Sequence, residues 1–227
     1  EDEALLIVDK PSGLAVHGGS GIALGVIEPL RIARPALKFL ELVHRLDRDT
    51  SGALLLAKKR SALVELHRQI RENQTDKRYY LLAHGEIKQG AQVMQLKYPL
   101  HKYLLANGER RVRVDPEGLP SHTALRVTKV MQRNDAAITL AEAQLKTGRT
   151  HQIRVHLQKL GHAILGDDKY GFEDRDKQIK SKRLYLHAHL AGFTHPRTGE
   201  KMRIESPIPA EFTAMMKTFE QVNSIQE

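Results

Sequence analysis

The stretch HRLDRDTSG, His44 to Gly52, sets Asp47 between Arg45 and Arg48, immediately before the apolar run Ala53 to Ala57. Ending a strand requires neither arginine, so Asp47 is the first candidate for chemistry. Asp49 lies two residues on. In extended backbone that spacing puts the two α-carbons roughly 6.6 Å apart on one side, which suits paired-carboxylate work at a glycosidic bond. Asp49 is also followed by Thr50, Ser51 and Gly52, the composition of a turn capped by an aspartate side chain. That turn is the favoured reading for Asp49.

A second stretch, TGRTHQIRVH, Thr147 to His156, carries Arg149, His151, Arg154 and His156 across a turn and a helix start. Backbone N–H groups at a helix N-terminus favour anions, and His151 and Arg154, three apart, share a face. The segment either holds a carboxylate or phosphate, or is a solvated basic face. Tyr79 follows Lys77 and Arg78 in KRYYLLAHG. In a strand Tyr79 and Tyr80 point to opposite sides, one buried and one free. An aromatic ring beside cations can stack on a base while the cations hold phosphates; packing in the core is the alternative.

Metal chemistry finds less support. His151 and His156 stand about 140° apart around a helix, and no carboxylate lies at metal-site spacing beside His187 and His189. The glycines of HGGSG, His17 to Gly21, match neither a phosphate loop nor a dinucleotide fingerprint. No metal and no cofactor are expected.

The elements that must position these residues follow from local pattern. Ala4 to Val8 reads as a strand entering the turn Lys10-Pro11-Ser12-Gly13, and His17 to Gly21 as a flexible loop. Helical spacing over Ile22 to Arg34 meets Pro29, which predicts a kink or a helix starting near Glu28. Leu40 to Val43 and Gly52 to Ala57 read as strands flanking the Asp47 loop. Ser61 is expected to cap a helix bearing Leu63, Leu66 and Ile70. Arg78 to Ala83 is a strand, and Asn107-Gly108 signals a hairpin turn. Thr123 to Val130 and Ile138 to Leu145 alternate as strands. Thr150 is expected to cap a helix bearing Ile153, Leu157 and Leu160 that Gly161 ends. Leu184 to Phe193 and Lys201 to Ile204 flank a hairpin at THPRTGE, and Phe212, Met215, Met216 and Phe219 form one face of a closing helix. The pattern predicts one α+β domain with a mixed, largely antiparallel sheet flanked by helices.

Across 227 residues, Lys and Arg total 36 against 27 Asp and Glu, a formal charge of +9. That excess points to a polyanionic partner, nucleic acid ahead of membrane. The chain contains no cysteine, which excludes disulfides, thiolate catalysis and cysteine-ligated zinc. No apolar run approaches the ~18 residues of a membrane span, so a cytoplasmic protein without a membrane partner is expected. The chain opens on EDEALLIVDKPSG, without Met and at the edge of a strand, and is expected to be a fragment of a longer product.

Taken in order, VDKPSGLAVHGGSG, LVHRLDRDTSGALLLAKKRSAL, KRYYLLAHG, LKTGRTHQIRVHLQKLGHAILGDDKYG and LYLHAHLAGFTHPRTGEKMRIESP resemble the RluA-type pseudouridine synthases. Within that family the similarity is to the RluC-like enzymes of the bacterial large ribosomal subunit, over nearly the whole chain. The resemblance implies a pseudouridine synthase fold with a central RNA-binding catalytic cleft. The chain is then the catalytic domain, residues 1–227, with an S4-type RNA-binding domain expected upstream. It implies that Asp47 acts on the target nucleotide, that Arg45 helps displace the target base, that Arg154 pairs with Asp47 and keeps it ionised, and that Tyr79 packs on the base and can shuttle a proton. Arg48, Lys77, Arg149 and His151 are expected to bind RNA. So are Arg110, Arg111 and Arg113 on the return strand of the Asn107-Gly108 hairpin, where alternation sends Arg111 and Arg113 to the face opposite Val112.

The implied reaction is a cofactor-free isomerisation of uridine to pseudouridine in large-subunit ribosomal RNA, naked or in an assembling subunit, by a monomer. The alternatives are RluA- or RluD-type action on other ribosomal or transfer RNAs, a hydrolytic N-glycosidase using Asp47 and Asp49, and a non-catalytic RNA-binding assembly factor.

Overall fold

A computed structural model describes residues 1–19, 24–88, 90 and 92–221. In chain order the elements are β1 (Leu5–Lys10), α1 (Ile27–Ile32), β2 (Glu41–Leu42), β3 (Ser51–Ala57), α2 (Arg60–Arg71), β4 (Asp76–His84), β5 (Met94–Leu96), β6 (Leu100–Leu104), β7 (Arg110–Val114), β8 (Thr123–Arg133), β9 (Ala136–Leu145), α3 (Gln152–Lys159), α4 (Glu173–Ile179), β10 (Leu186–Thr194), β11 (Lys201–Glu205), α5 (Ala210–Lys217) and β12 (Glu220–Gln221). They fall into two compact units, Glu1–Lys77 with His187–Pro207, and Arg78–Leu186 with Ile208–Glu227.

The first unit is organised by β3, whose seven residues are all buried, as a short apolar run covered on both faces must be. β1 pairs with it antiparallel, Leu5 against Ala57 and Lys10 against Gly52. β2 pairs antiparallel with its end. β10 pairs in parallel with its start, His187 against Ser51 and Ala188 against Gly52, and β11 pairs antiparallel with β10. This mixed, mainly antiparallel pattern agrees with the α+β expectation. Gly52 sits at φ +111°, where a Cβ would lie 2.3 Å from the Ala188 carbonyl oxygen, so the second residue of β3 must be glycine.

α2 lays Leu66 onto the core, with Leu63 and Ile70 partly buried beside it. Its N-cap is Lys59, in extended conformation. Ser61 is already inside the first turn, so the expected serine cap is not made. In α1, Pro29 is the third residue, where a backbone N–H would have no intrahelical partner, so the helix starts there without a kink. The HGGSG loop lies partly outside the described residues, at Ser20 and Gly21, as do Ile22 and Ala23 of the segment before α1.

In the second unit β8 and β9 form a long antiparallel pair, from Thr123 against Leu145 to Arg133 against Ala136, with an irregularity between Val127 and Lys129. β4 neighbours β9, and β5 and β12 pair with opposite ends of β8. β6 and β7 form the separate hairpin around Asn107-Gly108. There Asn107 accepts from the Glu109 N–H at 3.0 Å, and Gly108 takes φ +79°. The hairpin base packs Leu100 and Val112 against Val155 and Tyr170. α3 is capped by His151 at φ +52°, with no side-chain cap bond, so Thr150 does not cap it either. Phe219 is buried but lies beyond α5 and so is not part of its face. Among the described residues, no helix is long and apolar enough to cross a membrane.

Candidate active site

In the first unit the chain reverses at Asp47, whose carbonyl accepts the Thr50 N–H at 3.2 Å. The extended-chain geometry that would set Asp47 and Asp49 side by side is therefore absent. Asp49 is taken by its neighbour: Arg48 donates Nε and Nη2 to its two carboxylate oxygens at 3.2 and 3.3 Å. Asp47 is half-buried, Leu46 is buried beneath the loop, and Arg45 is exposed.

The loop is pinned from β1. Lys10 is only 1% exposed, and its ammonium donates to the carbonyls of Pro11 (3.0 Å), Leu14 (2.7 Å) and Arg48 (2.8 Å). Ser12 Oγ donates to the Asp49 carbonyl at 2.7 Å. Buried charge is tolerated only when it is fully engaged, so the Lys10-Pro11-Ser12 turn works as a clamp on residues 48 and 49. Sequence reasoning saw only a turn there. The available signal was a lysine in register with Leu6 and Val8 on an alternating strand.

A pair of histidines controls how the chain leaves β2. Val43 N–H donates to the Leu55 carbonyl at 2.9 Å, as antiparallel pairing requires. The Leu55 N–H, however, goes to His44 Nε2 at 3.2 Å, and the Val43 carbonyl accepts from His67 Nε2 at 3.1 Å. His44 replaces a strand carbonyl and His67 satisfies the one set free, so β2 ends while the backbone groups of Val43 and Leu55 stay paired. The imidazole must be neutral to accept. Burial first, and the Lys77 charge second, push its pKa down to about 4, opposed by a hydrogen bond with the Arg45 backbone. Burial also lowers the pKa of Lys77. Both residues border a small apolar cavity with Leu55, Leu66 and Phe193.

His187, considered with His189 for metal, has its ring nitrogens on Ser51 Oγ (2.9 Å) and on the Ser206 carbonyl (3.3 Å) and hydroxyl (3.2 Å).

In the second unit Tyr79 lies on β4 at 8% exposure, with Tyr80 less buried. α3 is not a solvated basic face, because Arg154 is 3% exposed and His156 fully buried. Arg154 donates Nε and Nη2 to the two oxygens of Asp167 at 2.8 and 2.6 Å, and Nη2 also to Asp168 at 3.0 Å. Its guanidinium stacks 5.2 Å from the centroid of the Tyr170 ring. The Tyr170 hydroxyl accepts the Val112 N–H at 3.0 Å and is hydrogen-bonded to His151 Nδ1 at 2.7 Å. Burial raises its pKa to about 12, so it stays a phenol. His151 and Arg154 thus share a face as expected, but it is turned to Tyr170, which sequence reasoning missed together with Asp167. The signal was present: a buried arginine needs a carboxylate, and LGDDKYG supplies two beside a tyrosine.

The remaining RNA-binding candidates differ in how far their charges are already satisfied. Arg111 pairs with Glu109 at 3.1 Å and donates to the Lys169 carbonyl. Arg113 pairs with Asp115 at 2.9 Å and lies over the Tyr103 ring. Arg110 is exposed, and Arg149 is exposed with its Nε on the Pro120 carbonyl at 3.2 Å.

The family model for RNA pseudouridylate synthase matches residues 4–159. Among curated relatives, "Ribosomal large subunit pseudouridine synthase C" of Pasteurella multocida is 50% identical over 99% of this chain and 68% of its own length. Its namesake in Escherichia coli K12 is 52% identical over 92% and 65%. The chain spans about two thirds of the length of these relatives. Two solved human structures, RNA pseudouridylate synthase domain containing 1 and 4, share the fold with TM-scores of 0.79 and 0.75 at 23% and 24% identity. They cover 100% and 96% of this chain, and 89% and 90% of their own. With the motif order, the α+β architecture and a family match over most of its length, the chain belongs to the RNA pseudouridylate synthase family, in its RluA-type, RluC-like branch.

Proposed function

We propose that the chain is the catalytic domain of an enzyme that isomerises specific uridines of large-subunit ribosomal RNA to pseudouridine. The observation that carries this reading is the immobilised turn that presents Asp47, held by Lys10, Ser12 and His44. The reaction flips a uridine out of its stack, breaks the C1′–N1 bond, rotates the uracil and forms C1′–C5; the C5 hydrogen leaves to solvent and N1 gains one, so atoms balance without a co-reactant. Asp47 acts at the ribose as nucleophile or base. Arg45, exposed two residues before it, fills the space of the displaced base. Tyr79 packs on the base and can pass its phenolic proton. Arg154, oriented by Asp167 and Asp168, is the basic residue that matches the family's partner of the essential aspartate.

The hydrolytic two-aspartate alternative gains no support, because Arg48 occupies the Asp49 carboxylate. The enzyme works as a cytoplasmic monomer on naked or assembling large-subunit RNA. Mapping pseudouridines in large-subunit ribosomal RNA from cells lacking the protein tests this reading. A few positions should revert to uridine, and an unchanged map would refute it.

A further inference from the structure

In the second unit a cavity of ≈ 120 Å³ opens between the β6–β7 hairpin and the turn before α3. Leu100 and Val112 are its buried lining, while Lys102, Arg149 and Thr150 are exposed. Hairpin register explains which side chains border it. Lys102 stands opposite Val112 and Leu100 opposite Val114, so these residues share one face with Arg110, and Arg111 and Arg113 project from the other.

That second face has its charges answered within the molecule. Glu109 pairs with Arg111 and Asp115 with Arg113, and Tyr170 and Tyr103 lie beneath the two guanidiniums. The cavity face is different. Lys102 and Arg149 have no carboxylate partner among the described residues. Two like charges bordering one cavity raise its potential and favour an anion. Arg149 is oriented by its Nε bond to the Pro120 carbonyl, and Thr150 lines the same cavity.

We propose that this cavity seats a backbone phosphate of the RNA substrate between Lys102 and Arg149. It makes the Lys102 face, rather than the Arg111 and Arg113 face, the side of the hairpin that meets RNA. The inference rests on the proposed action on RNA and adds where the strand is gripped.

The test uses the whole chain and a transcript of large-subunit ribosomal RNA, with affinity measured from 50 to 200 mM KCl. Losing two phosphate contacts in Lys102→Gln/Arg149→Gln should flatten the log–log salt slope by about 1.4, at roughly 0.7 per contact. Over that fourfold rise in salt, wild-type affinity should then fall about sevenfold more than the variant's. Arg113→Gln, measured in parallel, should leave the slope near wild type. Neither Lys102 nor the Arg149 side chain supports the core, so melting should be unchanged; if the double variant misfolds, Lys102→Gln alone should flatten the slope by about 0.7. A wild-type slope in the Lys102 and Arg149 variants, or flattening only with Arg113→Gln, overturns the cavity. If wild type meanwhile isomerises uridine, the proposed function stands; failure of wild type to bind the transcript overturns both.

Discussion

Lowering the pH should destabilise the fold through His44. The folded protein resists protonating this imidazole, whose pKa lies near 4, whereas the unfolded chain takes the proton near 6.5. The stability that His44 contributes is therefore whole above pH 6.5 and declines as pH falls towards 4. The difference between those values corresponds to about 3 kcal/mol at 1.36 kcal/mol per pH unit. His44→Gln isolates this contribution, because a glutamine oxygen can still accept the Leu55 N–H but does not titrate. Urea unfolding of both proteins from pH 7 to 4 should show wild type losing about 3 kcal/mol more than the variant. Acid effects common to both, such as protonation of Glu65, whose pKa Arg68 holds near 2, cancel in the comparison. Lys77→Gln should raise the His44 pKa, followed by its ring-proton NMR titration, because the like charge is gone. Parallel stability curves for wild type and His44→Gln would refute the idea that a neutral histidine closes the strand exit.

Arg154→Met strands the buried Asp167 carboxylate, so urea unfolding should report a loss of about 3–5 kcal/mol; a loss below about 1 kcal/mol would mean that the pair is dispensable. Gly52→Ala must move either its own positive-φ backbone or the Ala188 carbonyl. It should cost about 3 kcal/mol or more, read as a lower denaturation midpoint. Tyr79→Phe keeps the ring and removes the proton, so RNA affinity should stay near normal while single-turnover rates fall strongly; full-rate turnover would exclude a proton role.

Much of the fold was legible because it rests on local pattern. The apolar runs behind β1, β3, β8 and β9 and the Asn107-Gly108 turn signal each specify their element within a few residues. Elements with little apolar content escaped: β5 has three residues, β12 two, and α4 reads EDRDKQI with only Ile179 buried. Helix caps were misassigned at Ser61 and Thr150 because both starts use a residue, Lys59 or His151, that caps by backbone conformation alone. At the site, Asp47 stood out as a carboxylate between arginines that no strand end requires. Its supports did not, since Lys10 reaches Arg48 across 38 positions and His44 works by replacing a backbone carbonyl. The charge of the hairpin and the face that Arg111 and Arg113 occupy were visible, whereas their neutralisation depended on Glu109, Asp115 and Tyr170 coming to meet them.

The product of the reaction tests the role of Asp47 most directly. Large-subunit ribosomal RNA carrying tritium at uracil C5 should release label to water with the wild-type chain, in chelator and without added nucleotide, while the RNA keeps its length and no uracil is freed. Asp47→Asn, of nearly the same shape but uncharged, should melt at the wild-type temperature, still bind RNA and release no label. Free uracil in stoichiometric yield, or label release by Asp47→Asn within tenfold of wild type, would contradict it.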